Sequence, residues 1–256
     1  MQRKPVNEQP SLRGRMVVIT RPAGTAAGLA RSVRTRGGQP LLLPGLALRA
    51  VADVVAARAA LQLALGADLL IFSSPAAVRH AAALLPLRTG ARVLAVGQGT
   101  ATALRRHGIA EPLVPPRQDS EGLLGLAALR DLRGRDVVLI GAAGGRGLLR
   151  RQLVERGARL REVHVYRRLP PRLDRRHFEP LRQLPASARV LLSSAEALQH
   201  LCRLLPAPAL ARLCAATAVV SSERLAEAAR QAGFVHVIQA SSALGADLLR
   251  AAARAD

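Results

Sequence analysis

Residues 15–37, RMVVITRPAGTAAGLARSVRTRG, return 120 positions later as RDVVLIGAAGGRGLLRRQLVERG at 135–157. Gly24 pairs with Gly144, Leu29 with Leu149, Val33 with Leu153 and Gly37 with Gly157, all without a gap. At the same offset FSSPAAVRHAAALLP (72–86) matches LSSAEALQHLCRLLP (192–206), pairing His80 with His200 and Pro86 with Pro206. A looser third match joins VLAVGQGTATALRRHGI (93–109) to TAVVSSERLAEAARQAGF (217–234), where the offset has slipped by four or five residues. Solenoid and propeller units are far shorter than this period, so the repeat is a duplicated domain. The 256 residues suffice for two domains that each bury a core. Two like lobes make a cleft, and a cleft implies a shared ligand.

Strand and helix alternate along each copy. Val17–Thr20 is a short β-branched run, and the stretch at 25–36 that follows carries Ala26, Leu29, Ala30 and Val33 at helical spacing before Gly37 and Gly38 stop it. Leu69–Phe72, Val93–Val96, Val137–Ile140, Val190–Leu192 and Ala218–Val220 are further apolar runs, each leading through small residues into a helical pattern. Continuous apolar strands belong to parallel sheets covered on both faces, so each lobe is expected as a three-layer α/β sandwich.

Ligands of such folds bind outside the carboxyl ends of the strands, where amides of the following helix are accessible. The strand-to-helix turns begin at Thr20-Arg21, Ser73-Ser74, Gly97-Gln98-Gly99-Thr100, Gly141-Ala142-Ala143-Gly144-Gly145-Arg146, Ser193-Ser194 and Ser221-Ser222-Glu223-Arg224. Each reads either as a helix N-cap or as a set of carboxylate-binding groups. GAAGGRG at 141–147 is neither GxGxxG nor GxxxxGK[ST], which argues against a nucleotide. His80, His107, His164, His177, His200 and His236 are scattered without metal spacing, and His80 and His200 read as duplicated structural residues. Cys202 and Cys214 form no CxxC pair and read as reduced, mostly buried thiols. No metal and no cofactor are expected.

The formal charge is +21, and Lys4 is the only lysine. Arginine-rich composition and solvated helix faces account for part of it, but such an excess also attracts polyanions. One Tyr, three Phe and no Trp leave little for single-stranded bases to stack on, and no DNA-binding motif is present, so nucleic acid is not the expected partner. A small ligand with many carboxylates suits the charge equally well. No apolar run is long enough for a membrane span, and MQRKPVNEQPSLRG lacks the apolar stretch of a secretory signal. A cytoplasmic protein without membrane contact is expected.

An ordered set of segments carries a resemblance. ITRP at 19–22, FSSPAAV at 72–78 after Asp68-Leu69-Leu70-Ile71, AVGQGTA at 95–101, the GGR turn with Leu149, Leu153 and Gly157, VYRR at 165–168 and SSERLAEAARQAGF at 221–234 together resemble the uroporphyrinogen-III synthase family. The likeness runs from about Arg15 to Leu249; Pro75 departs from the small residue or Asn usual after the two serines, and the tail before Arg13 has no counterpart.

The resemblance implies two similar α/β/α, flavodoxin-like lobes with the duplication threaded across them. Residues 13–40 plus 172–256 would form one lobe and 50–164 the other, with a disordered tail at 1–12. Linkers at 41–49 and 165–171, within the extended segments Gln39–Ala52 and Glu162–Pro171, would join the lobes as a two-stranded bridge about which they open and close. It implies a lyase that cyclises the linear tetrapyrrole hydroxymethylbilane, a substrate with eight carboxylates, with loss of water and inversion of ring D. The chain would act as a monomer, with transient contact to the preceding pathway enzyme. A non-catalytic two-lobed tetrapyrrole- or polyanion-binding sensor is the competing reading, and a nucleic-acid binder the third. The substrate-binding residues implied are Thr20, Arg21, Ser73, Ser74, Gly97, Thr100, Ala101, Gly144, Arg146, Ser193, Ser194, Ser222 and Arg224. Tyr166, the only tyrosine, matches one that the family places near the departing hydroxyl. It reads either as a general acid or as a packing residue on the linker.

Overall fold

The computed structural model describes residues 11–144 and 147–254. It divides into two compact units, one formed by the chain up to Ala47 with Leu169 onward, the other by Leu48–Arg168. The first holds β1 (Met16–Ile19), α1 (Ala27–Thr35) and β2 (Gln39–Leu42). The chain then passes β3 (Ala47–Ala50), α2 (Val54–Ala64), β4 (Leu69–Phe72), α3 (Pro75–Leu84), β5 (Arg92–Ala95), α4 (Gln98–Arg106) and α5 (Ser120–Leu124). β6 (Asp136–Ala142), α6 (Leu148–Glu155) and β7 (Arg159–Leu169) complete the second unit. α7 (Arg175–Phe178), β8 (Arg189–Leu192), α8 (Ala195–Leu204), α9 (Ala207–Ala215), β9 (Thr217–Val220), α10 (Glu223–Gln231), β10 (Val237–Gln239) and α11 (Gly245–Arg254) return to the first.

In the first unit the sheet order is β10-β9-β8-β1-β2, and every pairing is parallel. Successive residues of a strand point to opposite faces, so Val17 and Ile19 meet α1 and α11 while Val18 packs with Val190 and Leu192 beneath α8, α9 and α10. The second unit is ordered β3-β7-β6-β4-β5, with β7-β6-β4-β5 parallel. There Leu70 and Phe72 pack against α2, α3 and α4, and Leu69 and Ile71 against α5 and α6. Both faces of both sheets are thus covered, which is why the strands read as unbroken apolar runs.

The repeat is legible in atomic detail. β2-β1-β8-β9 and β7-β6-β4-β5 are the same order drawn from equivalent strands. Gly24 and Gly144 take φ of 77° and 78°, and Gly37 and Gly157 take 78° and 87°, a left-handed backbone that only glycine adopts without strain. Leu12 N–H donates to Arg36 O at 2.8 Å, as Leu132 N–H does to Arg156 O at 3.1 Å.

Three expectations need restating. Gln39–Ala52 supplies an edge strand to each sheet, β2 and β3, and β7 pairs with β6 as far as Tyr166, so residues 165 and 166 belong to a sheet. Leu12, expected in a disordered tail, is fully buried; residues 1–10 lie outside the described residues. No described helix is long and apolar enough to cross a membrane.

Candidate functional site

An open parallel sheet binds ligands where the chain leaves two neighbouring strands in opposite directions, at their carboxyl ends. In the first unit that place lies between β1 and β8. Thr20 ends β1, and its hydroxyl donates to Leu191 O at 2.7 Å, tying the strands at the switch. Beside it are Arg21, Ser193 and Ser194. Ser194 is the N-cap of α8, its hydroxyl accepting from Ala197 N–H at 3.2 Å. Arg21 reaches Ala243 O at 3.3 Å, and burial pulls its guanidinium below its ordinary pKa. A half-desolvated cation held by a neutral carbonyl is a ready partner for a carboxylate. Ser222 caps α10 without a side-chain bond, and Arg224 on its first turn is exposed.

The second unit repeats the arrangement between β4 and β6. Ser73 donates to Ile140 O at 3.1 Å, and Gly141 has no room for a Cβ beside the Ser73 hydroxyl. Ser74 caps α3, accepting from Ala77 N–H at 3.0 Å, and its Oγ lies 3.2 Å from the hydroxyl of Tyr166. The Tyr166 ring stacks on His80 with centroids 5.2 Å apart and planes at 17°. Burial, and secondarily the charge of Arg79, pulls His80 below the usual histidine pKa and so disfavours its protonated form. Tyr166 reaches this position because the β6–β7 register shifts between Gly141 and Ala142, which pair with His164 and Tyr166. Strict alternation would send Val165 and Tyr166 to opposite faces; the shift lets both join the same core.

Other expected contacts are placed differently. Thr100 and Ala101, 3% and 0% exposed, both give their amides to Gly97 O within α4. Gly97 precedes that helix, and the Gln98 amide is taken by Gln118 Oε1 at 2.8 Å. Gly144 is exposed in the β6–α6 turn, and Arg146 lies outside the described residues. Arg168, absent from the expected set, donates to Ala143 O at 3.1 Å and so brings a guanidinium to that turn. Gln118 and Arg168 are distant in sequence from the turns they serve, and no local signal marks them. Among the described residues no group of three or more His, Cys, Asp and Glu is arranged to hold a metal ion. A hollow of about 800 Å³ lies elsewhere, between Arg92, Gly108 and Ala127 toward the amino end of β5. It holds none of the groups gathered at the switch points.

Known proteins resemble this chain over nearly its whole length. The family model described as uroporphyrinogen-III synthase HemD matches residues 27–250. The chain is similar to uroporphyrinogen-III synthase of Escherichia coli K12, 32% identical over 249 residues that cover 92% of this chain and 98% of that protein. With the corresponding protein of Salmonella typhimurium it is 30% identical over 245 residues, 92% of this chain and 98% of the other. Two solved structures share the fold. A mutant uroporphyrinogen III synthase of the extreme thermophile Thermus thermophilus matches with TM-score 0.58 at 22% identity, covering 92% of this chain and 96% of that one. The Helicobacter pylori enzyme matches with TM-score 0.59 at 15% identity over the same shares.

Proposed function

We propose that this chain, which belongs to the uroporphyrinogen-III synthase family, closes hydroxymethylbilane to uroporphyrinogen III with loss of water and inversion of ring D. Membership makes it a lyase of tetrapyrrole biosynthesis. The task of its residues follows from the substrate's own chemistry. Hydroxymethylbilane cyclises unaided to the uninverted isomer, so the enzyme must hold the chain where one carbon of ring D is attacked and its neighbour is not. Positioning of this kind supplies much of a barrier reduction without any acid–base pair.

The positioning groups lie in the strand-to-helix turns at the carboxyl ends of the strands of the two sheets. Arg21, Ser193, Ser222 and Arg224 in the first unit, and Gly97, Gly144 and Arg168 in the second, offer guanidinium, hydroxyl and amide donors to the substrate's carboxylates. Arg146 is assigned the same role by its place in the turn sequence. Thr20, Ser73, Ser74, Thr100, Ser194 and Ala101 support them by closing strands and helix ends.

The observation that carries the chemical step is the hydroxyl of the only tyrosine, 3.2 Å from the Ser74 cap at the β4/β6 switch. Tyr166 donates its proton to the departing hydroxyl; the carbon–oxygen bond breaks, water leaves, and the pyrrole nitrogen's electron pair makes an azafulvene cation. Ring D attacks that cation through its substituted carbon, the spiro intermediate fragments and recloses through ring D's free α-carbon in the inverted sense, and the proton expelled from that carbon restores the Tyr166 phenol. Loss of a general acid costs about a hundredfold or more. Tyr166→Phe is therefore expected to lower kcat for type III product by about that factor with the denaturation midpoint within the range of the wild type. Wild-type turnover in a folded Tyr166→Phe protein would remove Tyr166 from the chemistry.

A further inference from the structure

We propose that His80 is a positioning residue that fixes the ring of Tyr166 and thereby keeps its hydroxyl on Ser74; the catalytic part of this inference rests on the reading of Tyr166 as proton donor. A phenol on a strand has two side-chain torsions to settle. The contact with Ser74 Oγ at 3.2 Å holds the hydroxyl end, and Ser74 is itself anchored by Ala77 N–H at 3.0 Å. The ring itself is buried in the core of its unit, 6% exposed, where apolar contacts limit its position but do not single out one plane. His80, less than two turns along the same helix, adds a planar restraint through a face 5.2 Å away and 17° from parallel. Cap and stack both come from α3, so one rigid element grips the phenol at two points.

The duplication provides the comparison. His200, at the equivalent place in the first unit, turns Nδ1 to Gly45 O at 2.9 Å and so fastens backbone. Gly45 corresponds to Val165 at the 120-residue offset, and Leu46, equivalent to Tyr166, is 5% exposed. His80 instead lays its ring against the aromatic face. The same ancestral histidine therefore serves backbone in one unit and a phenol in the other. Displacing a reacting group by about 1 Å costs up to about a hundredfold in rate, which sets the scale of what the stack protects.

The chain has one tyrosine and no tryptophan, so tyrosine emission reads this ring alone. His80→Ala is expected to lower the emission anisotropy of the folded protein and to reduce kcat about tenfold with KM within about twofold. His80→Phe, which keeps a flat face, is expected to restore both readouts. In a Tyr166→Phe background, His80→Ala should add no further loss of kcat, and His200→Ala should lower the denaturation midpoint while sparing kcat. Unchanged anisotropy in His80→Ala would overturn the positioning role. So would a kcat loss of equal size with and without the Tyr166 hydroxyl. A fall in anisotropy together with wild-type turnover by Tyr166→Phe would instead overturn the acid assignment and leave the ring restraint standing.

Discussion

Gly45 is glycine because α8 passes too close for anything else. A Cβ there would stand 2.6 Å from Ala197 Cβ and 2.8 Å from Ala197 O, and the same residue accepts the His200 hydrogen bond. Overpacking of this kind costs about 1–3 kcal/mol, so Gly45→Ala is expected to lower the urea midpoint accordingly while turnover per folded molecule stays unchanged. Cys214 gives a pH-dependent counterpart. Burial, with Cys202 as the lesser cause, raises its thiol from an ordinary 9.0 to about 11. The fold favours the neutral thiol, so its contribution is complete below pH 9.0 and is lost as pH rises toward about 11. Between those limits the wild type should lose more stability than Cys214→Ala, as measured by urea midpoints. At this scale sequence carries chemistry better than contact. Tyr166 stands out by being the only tyrosine, whereas Gly45, His80, Gln118 and Arg168 owe their roles to partners remote in the chain.

Ser74 and Ser194 form an internal control at the scale of the helix. They cap α3 and α8 identically at the 120-residue offset, but only Ser74 meets a phenol. Loss of an N-cap costs about 1 kcal/mol, so Ser74→Ala and Ser194→Ala should lower stability alike. Ser74→Ala should also reduce kcat more than Ser194→Ala does; equal effects on kcat would contradict the separate role of Ser74 at the phenol. The central strands were readable because burial on both faces demands unbroken apolar runs, and β4 begins and ends at Leu69 and Phe72 as those runs indicate. The edge strands were not. β2 contains Pro40 and is nowhere fully buried, and β3 buries only Ala47, so both resemble extended connections until a neighbour pairs with them. The register shift that turns Tyr166 inward is equally silent, since it arises where Gly141 and Ala142 meet β7.

Charge acts on the whole molecule. Residues 48–168 carry 19 arginines against nine acids, a net +10, and the remainder of the chain carries +11, so neither unit holds the excess alone. Several acids of the second unit are committed near the amino ends of its strands, where Asp68 pairs with Arg135, and Asp136 with Arg159 and Arg161. A polycarboxylate approaching such a surface is drawn by a field that salt screens within about 10 Å at roughly 0.1 M. Raising salt from about 0.05 to about 0.5 M should therefore increase KM several-fold and leave kcat nearly constant; a salt-independent KM would show that the arginines do not steer the substrate. The two possible products differ in the orientation of ring D, and isomer analysis separates them. Freshly generated hydroxymethylbilane is incubated with and without the protein, and the products are oxidised to porphyrins and separated. Type III porphyrin in molar excess over protein is expected; type I alone, at the unassisted rate, from a protein that is demonstrably folded, would rule out the synthase activity.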